Sequence, residues 1–424
     1  MFDLRNGRAI RRWLHMPSSA LSLALVASTA LIVCLAEGHG QPPSPLPATA
    51  PTGTAVAGDP INLSTGLYVR TSVDLALFDV IPVVFSRTYR NRDFRSRPFG
   101  IGTNHSFGSF LAGDNRTFSY INLVLPNGTG IRYTRTSPGT GFVGSAFVHT
   151  SSPTEYRDSR LYWNGNGFTI DLKNGSRYTF PSCDPALKKV CTVSSYRDPA
   201  GHVIVMRHDR RMNMTRLETP NGSAMEFTYD SADRIVQART SDGERVTYDY
   251  DRLGRLVGVT SADGSRTEYD YDANHNMVLI DEPGLLITNK FDKAGRGVAQ
   301  DMVTAFYGPR GDLITSTSPF TFKYTLNSSG QIIKTEVEQP GRHRTVTFNE
   351  SGYSVSDSTR STRGDEIATT VERDSSNAVQ QIAVWCEQAG GKRVRMETTL
   401  DPEASSEEIK LQLQLSCASM ALGR

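Results

Sequence analysis

Residues 240–260 read Thr240-Ser-Asp-Gly-Glu-Arg-Val-Thr-Tyr-Asp-Tyr-Asp-Arg-Leu-Gly-Arg-Leu-Val-Gly-Val-Thr260. Val246, Tyr248 and Tyr250 fall on alternate positions, and β-branched and aromatic residues at a period of two mark a strand with one buried face. Two turn signals bracket that strand. Asp242-Gly243 is a tight-turn dipeptide. Asp251, followed three residues later by Gly254, marks a second turn: the Asp carboxylate accepts from amides just ahead of it, and the later residue takes the left-handed conformation of a bulge. One copy is therefore strand, turn, strand, turn.

The same pattern recurs on both sides. Gly201, Gly222, Gly243 and Gly264 stand 21 residues apart, and His208-Asp209, Tyr229-Asp230, Tyr250-Asp251 and Tyr271-Asp272 keep that spacing. A shorter copy holds Gly284, Phe291-Asp292 and Gly295-Arg296, and the turn signal continues at Asn327/Gly330, Asn349/Gly352 and Asp374/Asn377. Two independent markers with one period define a repeat. Asp233, Gly254, His275, Gly295, Gly330, Gly352 and Asn377 occupy the left-handed position, and these residue types tolerate positive φ. Met212 is the exception, and a distorted turn is expected there. Stacked side by side, the copies give an all-β fold, an antiparallel sheet of β-hairpin repeats, with Tyr229, Tyr248, Tyr250, Tyr269 and Tyr271 as a ladder.

The flanking segments divide the remainder. Residues 1–36 join Arg5, Arg8, Arg11 and Arg12 to an apolar run from Ala20 to Ala36, the plan of a secretory signal peptide, or of a membrane anchor if the run stays uncleaved. Residues 37–57, rich in Pro and Ala, form a linker. Residues 58–195 show short apolar runs broken by Pro126-Asn127-Gly128, Asn164-Gly165 and Asn174-Gly175, which are the hairpin signals of an N-terminal β domain. The repeat sheet spans 196–380. In the tail, 381–424, Ile409-Lys-Leu-Gln-Leu-Gln-Leu415 alternates like a last strand or hairpin, although Ser405-Ser-Glu-Glu408 is also a helix start.

Charge and cysteine content narrow the function classes. Lys and Arg number 46 against 44 Asp and Glu, a net charge of +2. The small excess sits in the signal segment, so a dedicated nucleic-acid binder is disfavoured. With Cys34 in the signal, Cys183, Cys191, Cys386 and Cys417 remain, an even number in a chain expected to be exported, which permits disulfides. Cys183 and Cys191 either close a short loop or stay as thiols; Cys386 and Cys417 are the pair left over.

Tyr250-Asp-Arg-Leu-Gly-Arg-Leu256, with Gly243 seven residues before the Tyr, resembles the YD repeat of the Rhs (rearrangement hot spot) family. Gly58-Asp-Pro-Ile-Asn-Leu-Ser-Thr-Gly66, Ile81-Pro-Val-Val-Phe-Ser-Arg-Thr-Tyr89 and Phe99-Gly-Ile-Gly-Thr-Asn-His-Ser-Phe107 are similar, in that order, to the domain that commonly precedes Rhs repeats in bacterial proteins. The resemblance covers residues 58 to 300, and more weakly to 377. It implies a β-shell wound from hairpins, as in Rhs proteins, teneurins and the C subunits of insecticidal toxin complexes, whose bacterial members often enclose a toxin. This sequence departs from that plan. Its hairpins are too few for a closed shell, so an open partial shell is expected. The tail after residue 380 is short, and no Asp-Pro-x-Gly-Leu segment lies near the end.

No catalytic motif emerges: there is no His-Glu-x-x-His, Gly-x-Ser-x-Gly, phosphate loop or EF-hand. No enzyme activity, cofactor or metal is therefore expected. Asp230, Asp251, Asp272 and Asp292 either each hold their own turn, the favoured reading, or form a calcium-binding row. The Tyr ladder either packs across strands, again favoured, or stacks on sugars. His105 resembles a family position and reads as a structural hydrogen bonder. The sequence thus points to an exported, non-enzymatic scaffold or binding protein of the cell envelope, in the periplasm, on the outer surface or secreted. The family's shell-forming members imply a link to toxin delivery or interbacterial competition. The rival readings are a carbohydrate- or surface-binding adhesin and a truncated remnant of a toxin carrier. The expected partner is a protein covering the open sheet edge or a cell-surface glycan.

Overall fold

The structure is a computed structural model that describes residues 55–114, 116–181, 191–387, 393–400 and 406–421. The expected signal segment, most of the linker and Cys183 lie outside the described residues. Among the described residues, no helix is long and apolar enough to cross a membrane.

One antiparallel sheet runs through most of the chain. Phe110–Gly113 pairs with Tyr120–Val124, and neighbours are added in chain order until Arg393–Thr399 pairs with Val379–Glu387. The sheet does not break near residue 195: Arg177–Pro181 pairs with Ser195–Arg197, which pairs with Val203–His208. The N-terminal hairpins and the repeats are therefore continuous. Only the first part of the sheet curls back on itself, because Cys191–Thr192 pairs with the outer side of Phe110–Gly113. At the far end Arg393–Thr399 has no second strand partner among the described residues, so the sheet is open.

Each repeat turn carries the expected bulge. The register slips at Tyr229, Tyr250, Tyr271 and Phe291, just before the turn Asp, so that Tyr250 faces Leu256. An extra residue on one strand of a pair also increases the local twist. Asp233, His275 and Asn377 hold φ of 60, 62 and 67 degrees. Met212, expected to distort its turn, holds φ 67 in the same geometry, with its amide bonded to the Asp209 carbonyl. The Asp209 carboxylate accepts the Arg211 and Asn213 amides, and that closure outweighs the about 1 kcal/mol that a side chain costs there.

A smaller sheet of Val69–Leu77, Val83–Arg90 and Thr103–His105 lies against the buried face of the repeats. Phe85 packs on Phe227 and Phe99 on Tyr248, with ring centres 4.7 Å apart in both pairs. Residues from Ile61 to Phe348 share one hydrophobic core as a result. This core is filled from within the chain, since residues 55–107 line the face that a shell would turn inwards.

The tail differs from expectation. Arg393–Thr399 is the return strand of a last hairpin, but 409–415 belongs to a helix, Ser406–Ala421. Ile409, Leu413 and Cys417 recur every four residues and pack on Ile382, Val384 and Val394, whereas Leu411 and Leu415 are exposed. A period of two and a spacing of four share every second position, which is why the alternation misled. Cys417 is disulfide-bonded to Cys386, pinning the helix to the sheet.

Candidate functional site

The repeat turns form a row of nearly identical networks. In each, one carboxylate or amide oxygen accepts two amides ahead of it. Asp230 takes Ala232 and Arg234, Asp251 takes Leu253 and Arg255, Asp272 takes Asn274 and Asn276, and Asp292 takes Ala294 and Arg296. The second oxygen is also engaged, by the Nε of Arg234, Arg255 or Arg296 or by the Asn276 amide. Gly254 and Gly295 sit at the left-handed position.

The tyrosines tie one copy to the previous one. The hydroxyls of Tyr229, Tyr250 and Tyr271 donate to the carbonyls of Met214, Ile235 and Leu256, each fifteen residues back, at 2.9, 2.6 and 2.7 Å. The arginines complete the link, with Arg234 over the Tyr250 ring at 4.4 Å, Arg255 over Tyr271 at 5.1 Å and Arg296 over Tyr324 at 5.5 Å. A cation over an aromatic face is worth about 0.5–1 kcal/mol when exposed and more when desolvated. Asp, Arg and Tyr therefore act as one unit that closes a turn and fastens it to its neighbour.

The N-terminal segment grips successive turns along this row. Pro98 accepts the Ile235 amide, the Ile101 amide donates to the Gly254 carbonyl, the Tyr89 hydroxyl donates to the His275 carbonyl, and the Asn91 side chain donates to the Gly295 carbonyl. Gly254, His275 and Gly295 thus present the same carbonyl of three consecutive turns to one segment. Behind them, Arg87 is buried between Asp74, at 2.7 Å, and the Tyr269 hydroxyl, at 3.0 Å, while the Tyr248 hydroxyl donates to Asp74 at 2.8 Å. Burial alone would lower the Arg87 pKa, but Asp74 beside it raises it well above its ordinary value. Its charge is fixed, which suits a structural clamp joining the two sheets.

Two comparisons bear on this architecture. Residues 199–347 match the model of the teneurin YD-shell family, over the same turns whose Asp, Arg and Tyr networks are described above. Residues 199–347 are thus YD repeats. Residues 58–133, which supply the gripping segment, match a domain of unknown function. No curated protein matches the chain. Among solved structures, it is similar to a chain of TcdB2-TccC3-Cdc42, with 10% identity and a TM-score of 0.30, covering 79% of this chain and 23% of that one. A chain of TcdB2-TccC3 gives 10% identity and 0.28, covering 82% and 21%. A chain of the Tc holotoxin pore of Photorhabdus luminescens gives 10% and 0.24, covering 82% and 22%. This chain spans less than a quarter of each of those chains.

The expected site residues can now be placed. Tyr229, Asp230, Tyr250, Asp251, Gly254, Tyr271, Asp272, Asp292 and Gly295 all lie in the turn networks. Asp230, Asp251, Asp272 and Asp292 each hold their own turn, with both carboxylate oxygens engaged there. The tyrosine ladder packs within the sheet. Tyr248, Tyr269 and Tyr271 are buried, and Tyr229 and Tyr250 are half-buried, so these five rings form no open platform. Cys191 is disulfide-bonded, and Cys183 lies outside the described residues. His105 is buried between Phe85 and Phe99 and accepts the Phe107 amide; burial pushes its pKa down to about 3, which leaves it neutral at ordinary pH.

Sequence reasoning missed the Arg partners of the turns and the Arg87 clamp. The first had a signal, since Arg follows the left-handed residue in Asp233-Arg234, Gly254-Arg255 and Gly295-Arg296. The second had none, because Asp74 and Arg87 meet Tyr248 and Tyr269 only in the folded chain.

Proposed function

We propose that the protein is an exported, non-enzymatic scaffold of the bacterial cell envelope, a partial YD shell that docks another protein, with its nearest functional context in toxin carriage. The observation that supports this reading is the open edge at Arg393–Thr399, whose outward backbone groups lack a strand partner among the described residues. An exposed edge strand is a template for adding a strand from another chain. Residues 55–107 already pack against the inner face. The link to toxin carriage rests on the YD-shell family alone.

A photo-reactive amino acid placed at Arg395 in the native host tests the proposal. The expected result is a discrete cross-linked protein, outside the cytoplasm, that is absent when the probe is moved to Asp263 on a repeat turn. An edge that cross-links to nothing, in a chain that light scattering finds monomeric, would overturn the scaffold reading. A chain retained in the cytoplasm would overturn export.

A further inference from the structure

We propose that the tip of the long hairpin built from Gly297–Tyr307 and Leu313–Leu326 is a recognition loop. Its partner would be a protein receptor that takes a carboxylate through a bound divalent cation and a guanidinium through its own carboxylates. The inference is independent of the scaffold proposal.

The hairpin outruns both of its neighbours. Pairing with Leu285–Phe291 ends at Thr304, and pairing with Ile332–Gln339 ends at Thr321. From Phe306 to Ile314 the ribbon therefore stands clear of the sheet. Its turn is closed by the Gly308 amide on the Asp312 carbonyl at 2.7 Å and the Gly311 amide on the Gly308 carbonyl at 2.9 Å. The tip is thus a defined shape rather than a slack loop.

That turn carries Arg310-Gly311-Asp312, all exposed. Neither charged side chain has a hydrogen bond or an ion pair among the described residues. This separates the tip from the repeat turns, where Asp230, Asp251 and Asp292 are held by Arg234, Arg255 and Arg296. Two cross-strand pairs stand behind the tip, Phe306 with Ile314 and Tyr307 with Leu313, exposed by 43%, 37%, 41% and 38%. Exposed aromatic and aliphatic side chains beside unpaired charges are the make-up of an interface anchor.

The chemistry of the tip specifies the partner. An unpaired carboxylate at an exposed turn is a ready oxygen ligand for a hard divalent cation with an open coordination position. A guanidinium two residues away calls for a carboxylate pair in fork geometry. Gly311, at positive φ and with open space around it, adds no side chain between the two groups. Cation-dependent adhesion receptors combine those two features, and an integrin ectodomain that binds Arg-Gly-Asp is a probe for them.

The experiment measures binding of the full chain to the immobilised ectodomain by surface plasmon resonance, with Mn²⁺ and with EDTA. The expected result is saturable binding in Mn²⁺ that disappears in EDTA and in Asp312→Glu, which keeps the charge but moves the carboxylate outward. Arg310→Gln should also lose binding, and circular dichroism should show both variants folded. No saturable binding in Mn²⁺, or equal binding in EDTA or by Asp312→Glu, would overturn the proposal.

Discussion

The guanidinium of Arg234 lies 4.4 Å from the centre of the Tyr250 ring, and the Tyr250 hydroxyl donates to the carbonyl of Ile235, the next residue along. One tyrosine therefore holds two adjacent residues of the preceding turn. Burial pushes the Tyr250 hydroxyl far above its ordinary pKa, so it stays a donor across the physiological range.

Removing that hydroxyl should cost little and removing the ring should cost much. Tyr250→Phe is expected to lower stability by about 1 kcal/mol, the worth of one hydrogen bond. Tyr250→Ala should lower it by about 3–4 kcal/mol, through lost packing. Urea titration followed by tryptophan fluorescence measures both. If Arg234 and Tyr250 act together, a cycle with Arg234→Ala will show a coupling of about 0.5 kcal/mol or more; additive losses would refute the link.

Acid should weaken the repeat turns. Burial alone would raise the Asp251 pKa, but the Arg255 amide and guanidinium and the Leu253 amide outweigh it and hold the carboxyl below its usual range; Asp230 and Asp292 are lowered likewise. A group depressed on folding contributes stability that is fully present above the unfolded pKa, near 4, and is lost as pH falls through the folded value. The melting temperature should therefore hold from pH 7 to 5 and drop below about pH 4. Asp251→Asn should melt lower at pH 7 and show a shallower acid drop. It should still fold, because Asn327 and Asn349 close the same turn with the same amide bonds.

Gly100 is a further sensitive point. It holds φ 82, and a Cβ there would come within 2.3 Å of the Gly254 carbonyl oxygen. Gly100→Ala should cost about 2–4 kcal/mol, from positive φ and from separating the N-terminal segment from the repeat row. Gly243→Ala, with positive φ but open space around it, should cost about 1 kcal/mol. Equal losses in the two variants would show that the contact with Gly254 contributes nothing.

The disulfide between Cys386 and Cys417 should stabilise one end of the molecule and not the rest. The two cysteines belong to a small cluster with Ile382, Val384 and Leu400, separate from the main core. Cys417→Ser should cost the helix about 2–4 kcal/mol. Hydrogen exchange is expected to speed up across 406–418 and along Val379–Glu387, while the amides of 224–291 keep their protection. Uniform loss of protection would show that the two clusters unfold together.

The turns were legible in the chain because their chemistry is local. Asp251, its amide donors at 253 and 255, and the left-handed Gly254 lie within five residues, so spacing alone identifies them, and a fixed period stacks the copies into a sheet. Asp230, Asp272 and Asp292 follow the same rule. The helix at 406–421 was harder to read, because Ile409, Leu411, Leu413 and Leu415 fit a strand until the positions of Ile382 and Val384 decide which of them are covered. Met212 was misread for a similar reason: the residue type argued against a left-handed conformation that the surrounding hydrogen bonds impose.

The hairpin, its turns and its repetition follow from the chain's local chemistry, since each depends on groups a few residues apart. What the repeats enclose depends on contacts between segments far apart in the chain. Asp74, Arg87, Tyr248 and Tyr269 carry no pattern that joins them, yet they meet where residues 55–107 fold back onto the sheet. That contact forms because an open sheet of alternating residues leaves one apolar face in water, and this chain covers it with its own N-terminal segment.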